Sequence, residues 1–212
     1  MTYRLAIFDL DGTLSDSFPW FMRVINAVAD RHGFRRLEAD QIEMLRGKSS
    51  REIIAHFGVP RWRLPFIARD MRRLKTRHVG DIPLFPGVEA MLRDLSGSGV
   101  IVAVVSSDSE ANVRRALGAN ARLVSFFSCG ASLFGKAKKF RQVLRRSGIA
   151  AADAICIGDE VRDAEAASTA GIAFAAVAWG YASREALANA HPVMIFERVD
   201  ELLPSLTGTV HR

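Results

Sequence analysis

The 212-residue sequence predicts an α/β fold, a parallel sheet wrapped by helices, with a second, helical unit inserted after the first strand. Three observations carry this expectation. Short runs rich in Val, Ile, Phe and Ala alternate with helix-length segments of mixed polarity at the start and through the second half. From about Phe18 to Leu84 the alternation stops and only helical patterns occur. Two strand-like runs end in aspartate, Asp9 and Asp159, and the carboxyl ends of parallel strands are where ligands bind in such sheets.

In chain order, "RLAIFDL" is short and apolar, the pattern of a strand covered on both faces. "PWFMRVINAVADRHG" follows as a helix, with Phe21, Val24, Ile25 and Val28 at helical spacing, Pro19 near its start and Gly33 after its end. "SSREIIAHFG" carries a capping box from Ser49 to Glu52, and "LPFIARDMRRLKTRH" continues the helical series. The second half then alternates. "VIVAVVSS", "AICIGD", "AFAAVAW" and "VMIFE" read as strands, and "FRQVLRRSG" and "VRDAEAASTAG" as helices closed by glycine. The chain crosses between the two units near Asp16 and around residues 81–87, which assigns residues 1–16 and 85–212 to the sheet core and 17–84 to the insertion. Because the insertion leaves from a strand's carboxyl end, it is expected to sit over any site there as a lid.

With 49% hydrophobic and 25% charged residues, the chain can bury a sizeable core. The N-terminus enters a strand without a basic leader, and no run of 18 apolar residues occurs, so secretion and membrane spanning are disfavoured and a cytoplasmic location is expected. The formal charge of +6 is concentrated between Arg23 and Arg77, notably in "RDMRRLKTRH"; this is either a solvated helix face or a surface that attracts anions. Cys129 and Cys156 have no partner at zinc-site spacing, and Cys156 within "AICIGD" reads as a small core residue. The five histidines share no metal-ligand spacing.

Asp9 and Asp11 are two apart at the end of a strand, so in extended geometry both carboxylates share one side, with Gly12 and Thr13 supplying the turn. Two such carboxylates repel unless a proton or cation separates them, and a hard cation with oxygen ligands, magnesium above all, satisfies the pair. Asp159 ends a second strand and would converge on the same edge, unless it serves as a helix N-cap; Asp163 lies one turn on, where an acid also complements the helix dipole. Ser106 ends another strand beside helix N-terminal amides, a place suited to phosphate, while Ser107 and Glu110 fit a capping box. Lys136 opens a helix, where a cation opposes the dipole and calls for a bound phosphate or nearby aspartates.

"DLDGTLSDS" from Asp9 to Ser17, Ser106, Lys136 and "GDEVRD" from Gly158 to Asp163 resemble, in order, the four motifs of the haloacid dehalogenase superfamily. "PLFPGVEAMLRDL" and "AWGYASREAL" extend the resemblance toward its phosphoglycolate-phosphatase-like branch. The resemblance implies a Rossmann-like core with a helical cap, and a magnesium-dependent phosphatase of a small phosphorylated metabolite. Asp9 would be the nucleophile and Asp11 the acid/base; Ser106, Ser107 and Lys136 would hold phosphoryl oxygens. Asp9, Asp159 and the Asp11 backbone carbonyl would hold Mg2+, with Gly12, Thr13 and Asp163 in support and Arg46 and Lys48 as cap contacts to substrate. Two positions depart from the family pattern: Ala137 follows Lys136 where relatives often have proline, and Asp108 stands where relatives commonly have asparagine.

Rival readings come from the same residues. A dehalogenase needs no acid/base at Asp11. A phosphonatase needs a lid lysine, for which Lys48 is the one candidate read from the sequence, and a phosphosugar mutase would reuse the aspartyl phosphate on a sugar. A non-catalytic protein binding nucleic acid or an acidic partner through residues 69–78 is disfavoured, because no base-stacking aromatic series accompanies the basic run.

Overall fold

The computed structural model describes residues 2–130 and 135–208. Its centre is a six-stranded, fully parallel sheet of β1 (Leu5–Phe8), β2 (Ile101–Val105), β3 (Phe126–Ser128), β4 (Ala154–Gly158), β5 (Ala173–Val177) and β6 (Met194–Phe196), in the order β3-β2-β1-β4-β5-β6. This is the classic doubly-wound strand order. Five of these strands were expected from the sequence; β3 is the addition, three residues at the sheet edge and too short to show a pattern.

In β1, Leu5 and Ile7 face one apolar layer, with Phe140, Val143 and Ala167, while Ala6 and Phe8 face the other, with Leu92, Leu95 and Val104. Phe8 pairs in register with Val104 on β2 and Ile157 on β4. The residues after these three strands therefore leave the sheet side by side, at the point where the chain's winding reverses.

The helices of the sheet unit are α5 (Val88–Gly97), α6 (Glu110–Leu117), α7 (Lys136–Ser147), α8 (Val161–Ala170), α9 (Arg184–Asn189) and α10 (Leu202–Thr207); those between β1 and α5 are α1 (Phe18–His32), α2 (Ile42–Arg46), α3 (Ser50–His56) and α4 (Leu64–His78). Glycines 33, 148 and 171 close α1, α7 and α8 in the left-handed conformation, and both bonds of the Ser49/Glu52 capping box are made at α3. The inserted helices hold a small apolar cluster of their own around Ile25, Leu37, Leu45 and Phe57. Their outgoing and returning connections run side by side, with Asp16 N–H donating to the Pro83 carbonyl at 2.9 Å and Phe85 N–H to that of Leu14 at 3.0 Å. No helix among the described residues is long and apolar enough to cross a membrane.

Candidate active site

The ladder continues one residue past β1, with Asp9 N–H donating to the Ile157 carbonyl at 3.0 Å, so the Asp9 side chain leaves from a fixed backbone. Its Oδ1 accepts from Leu10 N–H at 2.8 Å, and its Oδ2 meets the ammonium of Lys136. Lys136 is the first residue of α7 and is buried; its Nζ also reaches Asp163 Oδ1. These two carboxylates offset the cation against the positive end of the helix dipole. Lys138, by contrast, is exposed. Burial raises the Asp9 carboxyl above its usual range, against the opposing charge of Lys136. Burial also works to lower Lys136, but Asp163 and Asp9 overcome it and hold the ammonium well above the ordinary lysine value.

Asp159 follows β4 and is fully buried; its Oδ1 accepts from Thr13 Oγ at 2.8 Å and its Oδ2 from Tyr181 N–H at 2.8 Å. Two glycines make room for it. Gly12 sits at φ +76°, and a Cβ there would run into the Asp159 carboxylate and the Tyr181 ring; one on Gly180 would meet Asp159 and the Gly12 carbonyl. Burial, then the charges of Glu160, Asp9 and Asp163, push Asp159 well above the usual carboxylate range. Asp163 serves both roles open to it: its Oδ2 accepts from Glu160 N–H at 3.2 Å at the start of α8, and its Oδ1 faces Lys136.

Asp11 points elsewhere. Its Oδ1 meets the ammonium of Lys75, from α4, which also lies 3.2 Å from Asp108 Oδ2. Burial tends to raise the Asp11 carboxyl, but the charge and hydrogen bond of Lys75 outweigh it and leave the group below its usual value. The Asp108 carboxylate accepts from Ser109 N–H at 2.6 Å and Asn112 Nδ2 at 2.8 Å, so this anion near Ser106 is turned toward Lys75 and its own helix. Ser106 is buried and its Oγ accepts from Asp108 N–H at 3.0 Å. The cap of α6 differs from the expectation: Ser109, not Ser107, is the N-cap, accepting from Asn112 N–H at 3.2 Å, because the helix begins at Glu110. Ser107 instead offers its carbonyl to Arg72 Nε at 2.9 Å.

The lysine that the inserted helices bring to the site is thus Lys75 rather than Lys48. Lys48 sits 3.4 Å from Glu52 on the surface of α3, although both it and Arg46 line the cleft beside Asp11. Arg46 donates to the Gly180 carbonyl at 3.1 Å and lies over the Phe18 ring, tying α2 to the loop after β5. Lys75, Tyr181 and Arg162 were not singled out from the sequence. The trace that could have found Lys75 is its place on the apolar stripe of α4, at helical spacing after Leu64, Ala68 and Met71. Arg162 pairs with Glu160 and sits close enough to Asp9 and Asp159 for their charges to raise it further.

Four carboxylates (Asp9, Asp108, Asp159 and Asp163) are buried among the described residues against two ammonium groups, Lys75 and Lys136. Asp9, Asp159 and Asp163 each offer an oxygen within 4.8 Å of the others. An all-oxygen donor set with excess negative charge in a dry site fits a hard divalent cation. The Asp11 carboxylate is not in that cluster, being held by Lys75.

A family model for haloacid dehalogenase-like hydrolases matches residues 6–177, a span containing Asp9, Asp11, Ser106, Lys136 and Asp159. The chain belongs to the haloacid dehalogenase-like hydrolases. A phosphoglycolate phosphatase of Synechococcus elongatus is 33% identical over 210 residues, covering 96% of this chain and 97% of that protein. One of Xanthomonas campestris is 29% identical over 84% of each chain. A solved haloacid dehalogenase-like family hydrolase from Streptococcus pneumoniae superimposes with a TM-score of 0.77 at 21% identity, covering 96% of this chain and 98% of that one, a likeness of fold. This haloacid dehalogenase-like hydrolase is an enzyme of the phosphatase kind.

Proposed function

We propose that the enzyme is a cytoplasmic, magnesium-dependent phosphatase that cleaves small phosphate monoesters through an aspartyl phosphate on Asp9. The observation that carries this reading is the split between two carboxylates only two residues apart: Asp9 faces Lys136 at the sheet edge, and Asp11 faces Lys75 from the inserted helices. Environments that separate such a pair assign them different chemistry.

Asp9 attacks phosphorus, the bond from phosphorus to the leaving oxygen breaks, and Asp11 delivers a proton to that oxygen. Asp11 then takes a proton from water as the water attacks phosphorus and the bond to Asp9 breaks. Ser106, Ser107 and Lys136 hold the phosphoryl oxygens, and the charge of Lys136 favours the carboxylate form of Asp9 against the burial that raises it. Asp9, Asp159 and the Asp11 backbone carbonyl would hold Mg2+, with Gly12, Thr13 and Asp163 fixing their positions, and an ion there would supply positive charge against the transferring phosphoryl group. Residues 17–84 act as the cap over a core of 1–16 and 85–212. A phosphonatase needs a neutral lysine amine, whereas Lys75 lies against two carboxylates and Asp11 and Asp108 hold it protonated, although burial opposes them.

Phosphoglycolate, named in the relatives, is the first ester to assay. The test is phosphate release by wild type and Asp9→Asn with Mg2+ and with chelator. Hydrolysis by wild type in Mg2+ alone is expected; equal rates for wild type and Asp9→Asn on every ester tried would overturn the reading.

A further inference from the structure

A cleft with a volume of about 380 Å³ opens on Asp11 and runs into the inserted helices. Asp11 lines it, whereas Asp9, Ser106 and Lys136 do not, so it lies on the side of the acid/base where a leaving group would depart. Phe21, Ile42, Leu45, Ile53 and Phe57 line its walls, and these are also the residues of the inserted helices' own apolar cluster. That small core is therefore hollow and open to the site.

Size and polarity both argue against a leaving group as small and anionic as glycolate. At a water's ~30 Å³ per heavy atom, glycolate's five heavy atoms occupy at most about 150 Å³, well under half of the cleft. The cations on the wall already engage protein acceptors: Lys75 faces Asp11 and Asp108, Arg72 the Ser107 carbonyl, Arg46 the Gly180 carbonyl, Lys48 Glu52, and Arg162 Glu160. The indole N–H of Trp20 and the Nε–H groups of Arg46 and Arg162, also on the wall, are buried without an acceptor among the described residues and leave the cleft spare donors for an alcohol or ether oxygen.

We propose that the preferred substrate is a phosphate monoester of an uncharged, largely apolar alcohol with on the order of ten heavy atoms, its chain seated among the inserted helices. The inference rests on the phosphatase reading and adds the class of leaving group to it. Burying methylenes in such a wall favours the longer ester by up to about fourfold each in a fully desolvated site.

Two measurements separate this inference from the reading beneath it. Ethyl and octyl phosphate have leaving groups of similar basicity, so their kcat/KM values report the cleft and not intrinsic reactivity. Octyl phosphate is expected to exceed both ethyl phosphate and phosphoglycolate at least tenfold, and Ala68→Trp, which fills the cleft from α4, is expected to bring the octyl-to-ethyl ratio toward one; Ala68→Leu serves if the tryptophan variant does not fold. An ethyl ester or phosphoglycolate cleaved as well as the octyl ester overturns the inference and leaves the phosphatase reading intact. If no ester is hydrolysed, calorimetric titration with octylphosphonate decides the cleft on its own. Binding with a negative heat-capacity change that Ala68→Trp weakens tenfold upholds it, and absence of binding overturns it.

Discussion

Replacing Lys75 by methionine keeps the length and helix propensity of the side chain and removes only the charge between Asp11 and Asp108. At the 3.2 Å separation from Asp108, one such pair is worth about 5 kcal/mol of attraction at an effective dielectric of ~20, before the cost of drying the ammonium. Removing one partner of a buried pair typically costs about 3–5 kcal/mol, since the other is left uncompensated. The lower end applies here, because the Asp11 side chain retains 23% exposure and can rehydrate. A loss of about 3 kcal/mol lowers Tm by about 6–12 °C in a chain of this size. Calorimetry on wild type, Lys75→Met, Asp108→Asn and the double variant gives both the loss and the coupling, expected at about 1–3 kcal/mol. A Lys75→Met protein melting within about 2 °C of wild type would show that the inserted helices are not clamped to the sheet through this lysine.

Further outcomes follow from the same geometry. Gly180→Ala drives a Cβ into Asp159 and is expected to weaken Mg2+ binding about 10- to 100-fold by titration calorimetry, whereas Gly97→Ala, with nothing in reach, leaves it unchanged. Adding Mg2+ at about 100 times its Kd should stabilise the protein by about 2.7 kcal/mol, read as a rise in Tm that chelator reverses. Burial, then the charges of Glu110 and Asp108, push the Cys129 thiol up to about 12 from 9.0. At pH 8 it is expected to alkylate about a thousandfold more slowly in the folded protein than in urea, the gap closing as pH rises toward 12.

How legible these features were depends on whether their causes are local. Strand β1 and its aspartates, the capping box at Ser49 and the closing glycines follow from neighbours in sequence, and the reading found them. Strand β3 escaped it, because three residues carry no periodicity and the strand exists by pairing with β2. The cap of α6 slipped from Ser107 to Ser109 because tandem Ser-Ser-Asp-Ser offers several oxygens, and only the path of the chain away from β2 selects one. Lys75 looked like one more cation in a basic run, and its meaning appears only when α4 is laid across the end of the sheet. The same contact gives the second oxygen of Asp108 its partner, while the first accepts from Ser109 and Asn112 at the start of α6.

The most direct test of the account is to find where the phosphoryl group goes. Wild-type enzyme quenched during turnover of a hydrolysed ester in Mg2+, then reduced with borohydride and digested, should yield the peptide containing Asp9 with that carboxyl converted to an alcohol. Asp9→Asn should yield none. Reduction at Asp11, Asp159 or Asp163 instead, or turnover with no trapped carboxyl at any position, would contradict the assignment of Asp9 as the nucleophile.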